Sequence, residues 1–400
     1  MRIFHTLSVL LYGGIIFLIQ PFHEKARKWW KGRSNFWTQL PTIPSENVIW
    51  FHCASLGEFD QGIPVMQKLK ERDATVFIVV TFFSPSGMEH YHKRNHPADW
   101  VGYLPLPTPS NARRFVNHFH PKLVFFVKYE FWENYLSAAI KKKAKVYCIS
   151  ANFRKNQRFF GGFKSFFSPT LFLFDAIFVQ NETSLKLLRS IQYPNGILAG
   201  DTRIDKVLEN KKQVEKDAFV ETFLEGKKAF ILGSSWPIGE QLWKDYVYNH
   251  PEDKFIIAPH DISEKHITNI IDLYPHAIRY SKNKSTDSNV LIVDCIGKLS
   301  NLYQYASLAY VGGGFTGKLH NILEAVVFNI PVLIGPKHYR FPEAQQLIDK
   351  GIVAVVTTPT DLEREVDSMV QNQVVVQRQA TLFFATNMNV ASRIVAEINL

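Results

Sequence analysis

The chain reads as an α/β protein built from two doubly wound, parallel-sheet domains in tandem. Short apolar and β-branched runs alternate with helical stretches through the first half, and the same alternation restarts after a charged interval. Its 400 residues also exceed one ordinary core and suit two domains of about 150–200 residues each.

The elements follow in order. After a linker punctuated by Pro41 and Pro44, Val48 to His52 reads as a buried strand. It ends in Ala54-Ser55-Leu56-Gly57-Glu58-Phe59, and a helix runs on through Arg72. Ala74 to Thr81, Leu123 to Lys128, Lys145 to Ser150, Ala176 to Gln180 and Gly196 to Ala199 read as further strands. Lys206 to Lys228 is charged and reads as linker and helix. The second set comprises Ala229 to Gly233, Lys254 to Pro259, Val290 to Asp294, Leu308 to Gly312, Pro331 to Ile334 and Ile352 to Val356. A boundary near residue 210 divides residues 23–210 from 211–400. Doubly wound sheets bind ligands beyond the carboxyl ends of their strands, so the two domains are expected to face a cleft.

Residues 1–22 stand apart as an expected membrane-anchor helix. Ile3 to Ile19 is mostly apolar and is followed by Lys25, Arg27, Lys28, Lys31 and Arg33 with Trp29 and Trp30. Its length is marginal for a span of about 20 residues. The charge follows the apolar run and no Ala-x-Ala site is present, which argues against a signal peptide. Basic residues on that side favour a cytoplasmic body, and Trp suits the interface. A buried N-terminal helix is the alternative, since His5, Thr6, Ser8, Gly13 and Gly14 dilute the run.

Hydrophobic residues make up 46%, as in a folded protein, while the 32 Phe exceed what a soluble core demands. The net charge of +10 points to anionic partners: nucleic acid, a phosphorylated substrate or an anionic membrane. Cys53, Cys148 and Cys295 lie far apart without a CxxC pair, so neither a disulfide framework nor a zinc site is expected. Phe153 to Phe174 sets Arg154, Lys155, Arg158 and Lys164 among phenylalanines, including Phe159, Phe163, Phe166 and Phe167. That mixture suits a surface beside an anionic membrane more than nucleic acid, with about half of the rings in the core.

Candidate chemistry sits where strands end. Tyr310-Val311-Gly312-Gly313-Gly314-Phe315 leads into His320-Asn321-Ile322-Leu323-Glu324. The glycines would let backbone approach a ligand, and a helix starting there would offer N–H groups to a phosphate. Asn321 and Glu324 would share one helix face. Glu58 could serve as a general base, or cap its helix through the Ser55-x-x-Glu58 pattern. Glu130 after an apolar run needs a partner or the sheet edge. Arg203, in Gly200-Asp201-Thr202-Arg203, could offset phosphate charge or lie on the surface. Ser234 and Ser235 suit phosphate binding or an N-cap. Pro259-His260 and Ile296-Gly297-Lys298-Leu299 close two further strands. No Walker loop, no GxGxxG after the first strand and no DxD-type metal motif is present, so no metal or resident cofactor is expected.

In order, Ala54-Ser55-Leu56-Gly57-Glu58, Glu130-Phe131-Trp132, Ser150-Ala151-Asn152, Gly200 to Asp205, Gly312-Gly313 and His320-Asn321-Ile322-Leu323-Glu324 resemble the bacterial 3-deoxy-D-manno-oct-2-ulosonic acid (Kdo) transferases of lipopolysaccharide synthesis. The resemblance implies the GT-B fold and transfer of Kdo from CMP-Kdo to the lipid A precursor, at the cytoplasmic face of the inner membrane. It implies Glu58 as catalytic base, with Glu130 and Arg203 stabilising the transition state. It places CMP against Pro259, His260, Ile296, Gly297, Lys298, Leu299, Asn321, Ile322, Leu323 and Glu324, and Ser234 and Ser235 join the expected nucleotide site from their own place at a strand end. The chain departs from the family pattern in four places. It lacks an arginine between Pro259 and His260, has Arg203 for a usual lysine and Lys298 for a usual glutamate, and carries an unusual Gly233-Ser234-Ser235-Trp236 run. Rival readings are a UDP-sugar lipid transferase and an inactive membrane-bound sugar-nucleotide or lipid-binding protein.

Overall fold

The computed structural model of the chain describes residues 2–128, 130–162, 164–282 and 287–398. Phe163 of the expected aromatic and basic stretch therefore lies outside the described residues. Two compact units emerge: Met1–Lys206 with Asn389–Leu400, and Val207–Met388.

In the first unit the strands are β1 (Val48–Cys53), β2 (Phe77–Phe82), β3 (Trp100–Tyr103), β4 (Leu123–Val127), β5 (Lys145–Ala151), β6 (Ala176–Val179) and β7 (Gly196–Leu198). They form a parallel sheet in the order β3-β2-β1-β4-β5-β6-β7. The order reverses at β1 and β4, the place where doubly wound sheets bind ligands. Every residue of β1 is buried. Alternation of side chains splits it between two faces. Trp50 packs with Phe115, Phe126 and Tyr135 on one side, and Phe51 with Phe59, Ile63 and Phe125 on the other.

The second unit repeats the plan with β8 (Ala229–Ser235), β9 (Lys254–Pro259), β10 (Ile278–Arg279), β11 (Val290–Ile292), β12 (Ala306–Val311), β13 (Val332–Ile334) and β14 (Val353–Val355). Its parallel order is β10-β11-β9-β8-β12-β13-β14. The short strands β3 and β10 were not expected from the sequence. β2 starts at Phe77 rather than Ala74, because Asp73 accepts hydrogen bonds from the Thr75 N–H (2.8 Å) and hydroxyl (2.6 Å) and holds a turn.

One expected boundary is corrected. Residues 211–400 do not form one domain, since the last helix, Val390–Ala396, belongs to the first unit. Val390, Ala391, Ile394, Val395 and Ile398 join the core around Phe59. Arg72 donates to the Val395 and Ile398 carbonyls, and Asp205 accepts from the Ala391 N–H. The chain leaves the first unit at Lys206 and returns to close its core, which no local pattern announces.

At the N-terminus, helix α1 (Arg2–Ile19) turns into α2 (Glu24–Ser34). No single helix among the described residues is long and apolar enough to cross a membrane, and the α1–α2 pair is bent by 115°. One face of α1 is fixed to the first unit: Val9 is buried, Tyr12 packs edge-on to Trp29, and the Asn134 amide donates to Thr6 Oγ1 at 3.1 Å. The other face exposes Leu7, Leu10, Leu11 and Leu18. The Phe-rich segment is split as expected, with Phe153, Phe159 and Phe174 buried and Phe166 and Phe172 exposed.

Truncating Ile394 removes a fully buried side chain from the first unit. Ile394→Ala should cost about 2–5 kcal/mol, read as a lower midpoint of chemical unfolding. A chain ending at 388 should unfold at lower denaturant still.

Candidate active site

Helix α3 (Leu56–Arg72) begins where β1 ends, with Ser55 as its N-cap residue. Ser55 makes no side-chain capping bond, so only half of the anticipated capping box exists. Glu58 supplies that half through the Ser55 N–H, and its carboxylate also accepts the N–H of the preceding Ala54, at 2.5 Å. The side chain is 9% exposed. Burial pushes its pKa up to about 7, against the pull of the Ala54 N–H and of Lys128; Glu130 raises it further. Capping and proton-accepting chemistry thus meet in one carboxylate.

Glu130 lies just beyond β4 and is held by β1. His52 is 1% exposed, and its Nε2 lies 3.1 Å from Glu130 Oε2. The Trp132 indole N–H reaches the same Nε2, also at 3.1 Å. His52 Nδ1 is 3.0 Å from Thr81 Oγ1, which accepts the Trp50 indole N–H at 2.8 Å. A polar chain therefore runs through the core from Trp50 to Glu130. This is the partner that a carboxylate after an apolar strand requires.

The loop carrying Arg203 is anchored by Ser150 Oγ on Thr202 Oγ1 at 2.8 Å. Arg203 grips Asp201 through Nε (2.9 Å) and a terminal nitrogen (2.5 Å). The structure thus joins the Ser150-Ala151-Asn152 and Gly200–Arg203 motifs. Lys128 and Glu130 both lie within electrostatic reach of Glu58.

In the second unit the glycine run has another purpose than the expected one. A Cβ on Gly312 would sit 2.0 Å from the Ser234 carbonyl oxygen, and one on Gly314 2.5 Å from the Gly335 nitrogen. Gly313 adopts φ +88°, and its Cβ would meet the Lys318 carbonyl oxygen at 2.0 Å. These glycines admit neighbouring backbone rather than a ligand. The expected phosphate-binding helix is also corrected: Leu323–Val326 is a single turn. Asn321 and Glu324 do meet, the amide donating to Glu324 Oε1 at 3.1 Å. Ile322 and Leu323 are core residues, so only their backbone could face a nucleotide.

Ser234 takes a left-handed conformation (φ +48°) at the end of β8. Ser235 is buried and donates to Glu240 Oε1 at 2.7 Å, which turns its hydroxyl away from an open surface. Beyond β9, the His260 ring stacks on Trp236 (4.8 Å, 12°) and lies 4.6 Å from His320. Burial, helped by His260, pulls His320 down to about 4, so its imidazole is neutral at physiological pH. Ile296 is 78% exposed and Gly297 has φ +91°. Lys298 is held by Asp217 at 3.0 Å. Sequence reading missed His52, Trp236 and His320 as site residues. His52 carried a signal, a histidine inside an otherwise apolar strand.

Residues 28–206 match the family profile described as 3-deoxy-D-manno-octulosonic-acid transferase (kdotransferase). The chain is 25% identical over 351 residues to a 3-deoxy-D-manno-octulosonic acid transferase of Haemophilus influenzae, covering 83% of this chain and 81% of that one. It is also 25% identical over 376 residues to the enzyme of that name from Chlamydia muridarum, covering 90% and 86%. Among solved structures, the UDP-GlcNAc 2-epimerase of Methanocaldococcus jannaschii superposes with a TM-score of 0.58 at 16% identity, covering 84% of this chain and 98% of that one. Acinetobacter baumannii MurG does so with 0.54 at 12%, covering 88% and 98%. Both likenesses concern the fold alone, and the fold is GT-B.

Gly312→Ala forces Cβ into the Ser234 carbonyl. It should destabilise the second unit by at least about 3 kcal/mol. Thermal unfolding should show the loss equally with and without added nucleotide, because the constraint is protein on protein.

Proposed function

We propose that this chain, which belongs to the 3-deoxy-D-manno-octulosonic-acid (Kdo) transferase family and is a glycosyltransferase, moves Kdo from CMP-Kdo to a hydroxyl of the lipid A precursor, lipid IVA. The transfer is inverting and uses no metal or resident cofactor. The observation that carries this reading is Glu58, a buried carboxylate in the first turn of the helix that follows a central strand, with its pKa raised to about 7. A base poised near neutrality removes a hydroxyl proton most effectively at working pH.

In the proposed step, the ionised Glu58 takes the proton as the acceptor oxygen attacks the anomeric carbon of Kdo. The bond from that carbon to the CMP phosphate oxygen breaks, and its electron pair leaves with CMP. Positive charge that develops on the sugar is met by Glu130, which His52 holds in place. Negative charge on the leaving phosphate is met by Arg203, which exchanges Asp201 for it. In the second unit, Asn321, Glu324 and the exposed faces of His260, Ile296 and Gly297 would receive the nucleotide.

The proposed membrane contact is the inner-membrane surface on the cytoplasmic side, reached through the exposed apolar face of α1. Lys25, Arg27, Lys28 and Lys31 on α2 supply attraction to anionic lipid. The bend between the helices and the packing of α1 on the first unit favour an in-plane helix over a spanning one.

Incubation with CMP-Kdo and lipid IVA, followed by mass spectrometry of the lipid, should show added Kdo. CMP and not UDP should raise the thermal midpoint. The rate should fall as pH drops through about 7, where Glu58 gains its proton. Glu58→Gln should cost roughly 10²–10⁴ in rate. Linkage gives the same residue an opposite effect on stability. The folded state holds the Glu58 proton more tightly than the unfolded chain, so this contribution is full below about 4.5 and is lost as pH rises to about 7. Glu58→Gln should flatten that decline while slowing transfer by that factor; near-normal transfer by a folded variant would remove Glu58 from the mechanism.

A further inference from the structure

A cavity of about 280 Å³ lies in the first unit between α1 and the segment after β4. Ser8 and Tyr12 of α1 form one wall, Phe83 and Trp132 an aromatic side, and Glu130 and Arg158 bring opposite charges. Phe83 and Trp132 pack with ring centroids 4.7 Å apart. The Arg158 guanidinium sits 5.2 Å from the Phe159 ring centre and 5.1 Å from that of Phe167. Among the described residues it has neither a hydrogen bond nor an ion pair, and part burial lowers its pKa. A cation flanked by rings and lacking an anion is well suited to accept one.

We propose that this cavity is the headgroup subsite for a phosphorylated sugar carried on an amphiphile. This rests on reading the chain as a lipid-acceptor glycosyltransferase. The aromatic side receives the apolar face of a sugar ring, Glu130 accepts a ring hydroxyl, and Arg158 binds a phosphate monoester. The volume is just under the range of about 300–1,000 Å³ usual for ligand pockets, so it holds a headgroup fragment and not acyl chains. The chains have somewhere to go. The face of α1 opposite the cavity exposes Leu7, Leu10, Leu11 and Leu18, one helix diameter of about 10 Å away. A soluble sugar phosphate would leave that arrangement unused, whereas an amphiphile uses both faces of one helix.

The test is equilibrium binding of lipid IVA, and of enzymatically dephosphorylated lipid IVA, to the full chain in neutral detergent. Neutral micelles carry no anionic bilayer headgroup, so any phosphate effect comes from the acceptor itself. The unmodified protein should bind the phosphorylated lipid about tenfold more tightly than the dephosphorylated one. Arg158→Gln should lose that tenfold preference by weakening only the phosphorylated lipid, and Arg158→Lys should recover part of it. Unchanged binding by Arg158→Gln overturns the proposal, and so does an equal loss for both lipids, which would report a distorted cavity. If Arg158→Gln does not fold, the two lipids on the unmodified protein and on Arg158→Lys decide the matter: equal affinities on both overturn it. A parallel transfer assay keeps the two readings apart. Absence of Kdo transfer by the unmodified protein would sink the functional reading, while the binding comparison still decides the subsite.

Discussion

The first unit depends on keeping Glu58 out of water without losing it to a salt bridge. A buried carboxylate resists ionisation, and a close cation would restore its ordinary acidity. The structure takes an intermediate path. The Ala54 N–H and a more distant Lys128 favour the charge, while burial and the neighbouring Glu130 oppose it. The balance falls near neutrality because the favourable partner is mainly a backbone dipole at the start of α3, not a full charge. Placement at the end of β1 makes this possible. The strand is buried throughout, so it delivers its last residues already desolvated. The turn between the strand and α3 supplies a directed N–H at that point, from Ala54.

Glu130 is governed by a second constraint, written into the same strand. Two groups converge on His52 Nε2, the Trp132 indole and the Glu130 carboxyl. An indole can only donate, so it is satisfied when Nε2 is unprotonated. A carboxylate can only accept, so it is satisfied when Nε2 carries a proton. Both contacts cannot be full hydrogen bonds with an ionised Glu130, and the position of one proton decides between them. Thr81 keeps the other side of the ring fixed, since its oxygen has lone pairs for both the Trp50 indole and Nδ1. The ring is thus oriented by the core, and Glu130 inherits that orientation.

Much of this was legible in the sequence. Strand runs such as Val48 to His52 and Lys254 to Pro259 gave both sheets, because buried parallel strands are continuous apolar stretches. Glu58 was legible because its motif sits at a strand end. Its double role was less so, since spacing alone cannot say whether Ser55 will complete the capping box. Three features escaped for physical reasons. The helix Val390–Ala396 has an apolar stripe like any other, and nothing local says that its partner lies around Phe59. The glycines at 312–314 look the same whether they admit a phosphate or the Ser234 carbonyl. The Trp236, His260 and His320 rings come from three different strand ends, so only the sheet order brings them together.

Those rings also bear on how an anion could be held. His320 is neutral at physiological pH and accepts the Trp236 indole N–H, at 3.4 Å, so it adds polarity without charge. Lys298 and Arg203 carry full charges, and both are already engaged. Lys298 pairs with Asp217 but keeps 42% of its side-chain surface exposed, and such pairs contribute about 0–1 kcal/mol. It can change partners at little cost. Arg203 differs, since its side chain is 20% exposed, that of Asp201 12%, and two of its nitrogens grip one carboxylate. Leaving that arrangement unmatched would strand a buried charge, which is far more costly than losing a surface pair. An anion that takes Arg203 from Asp201 must therefore present two oxygens at carboxylate-like spacing. Phosphates and carboxylates satisfy that condition, and a neutral hydroxyl does not.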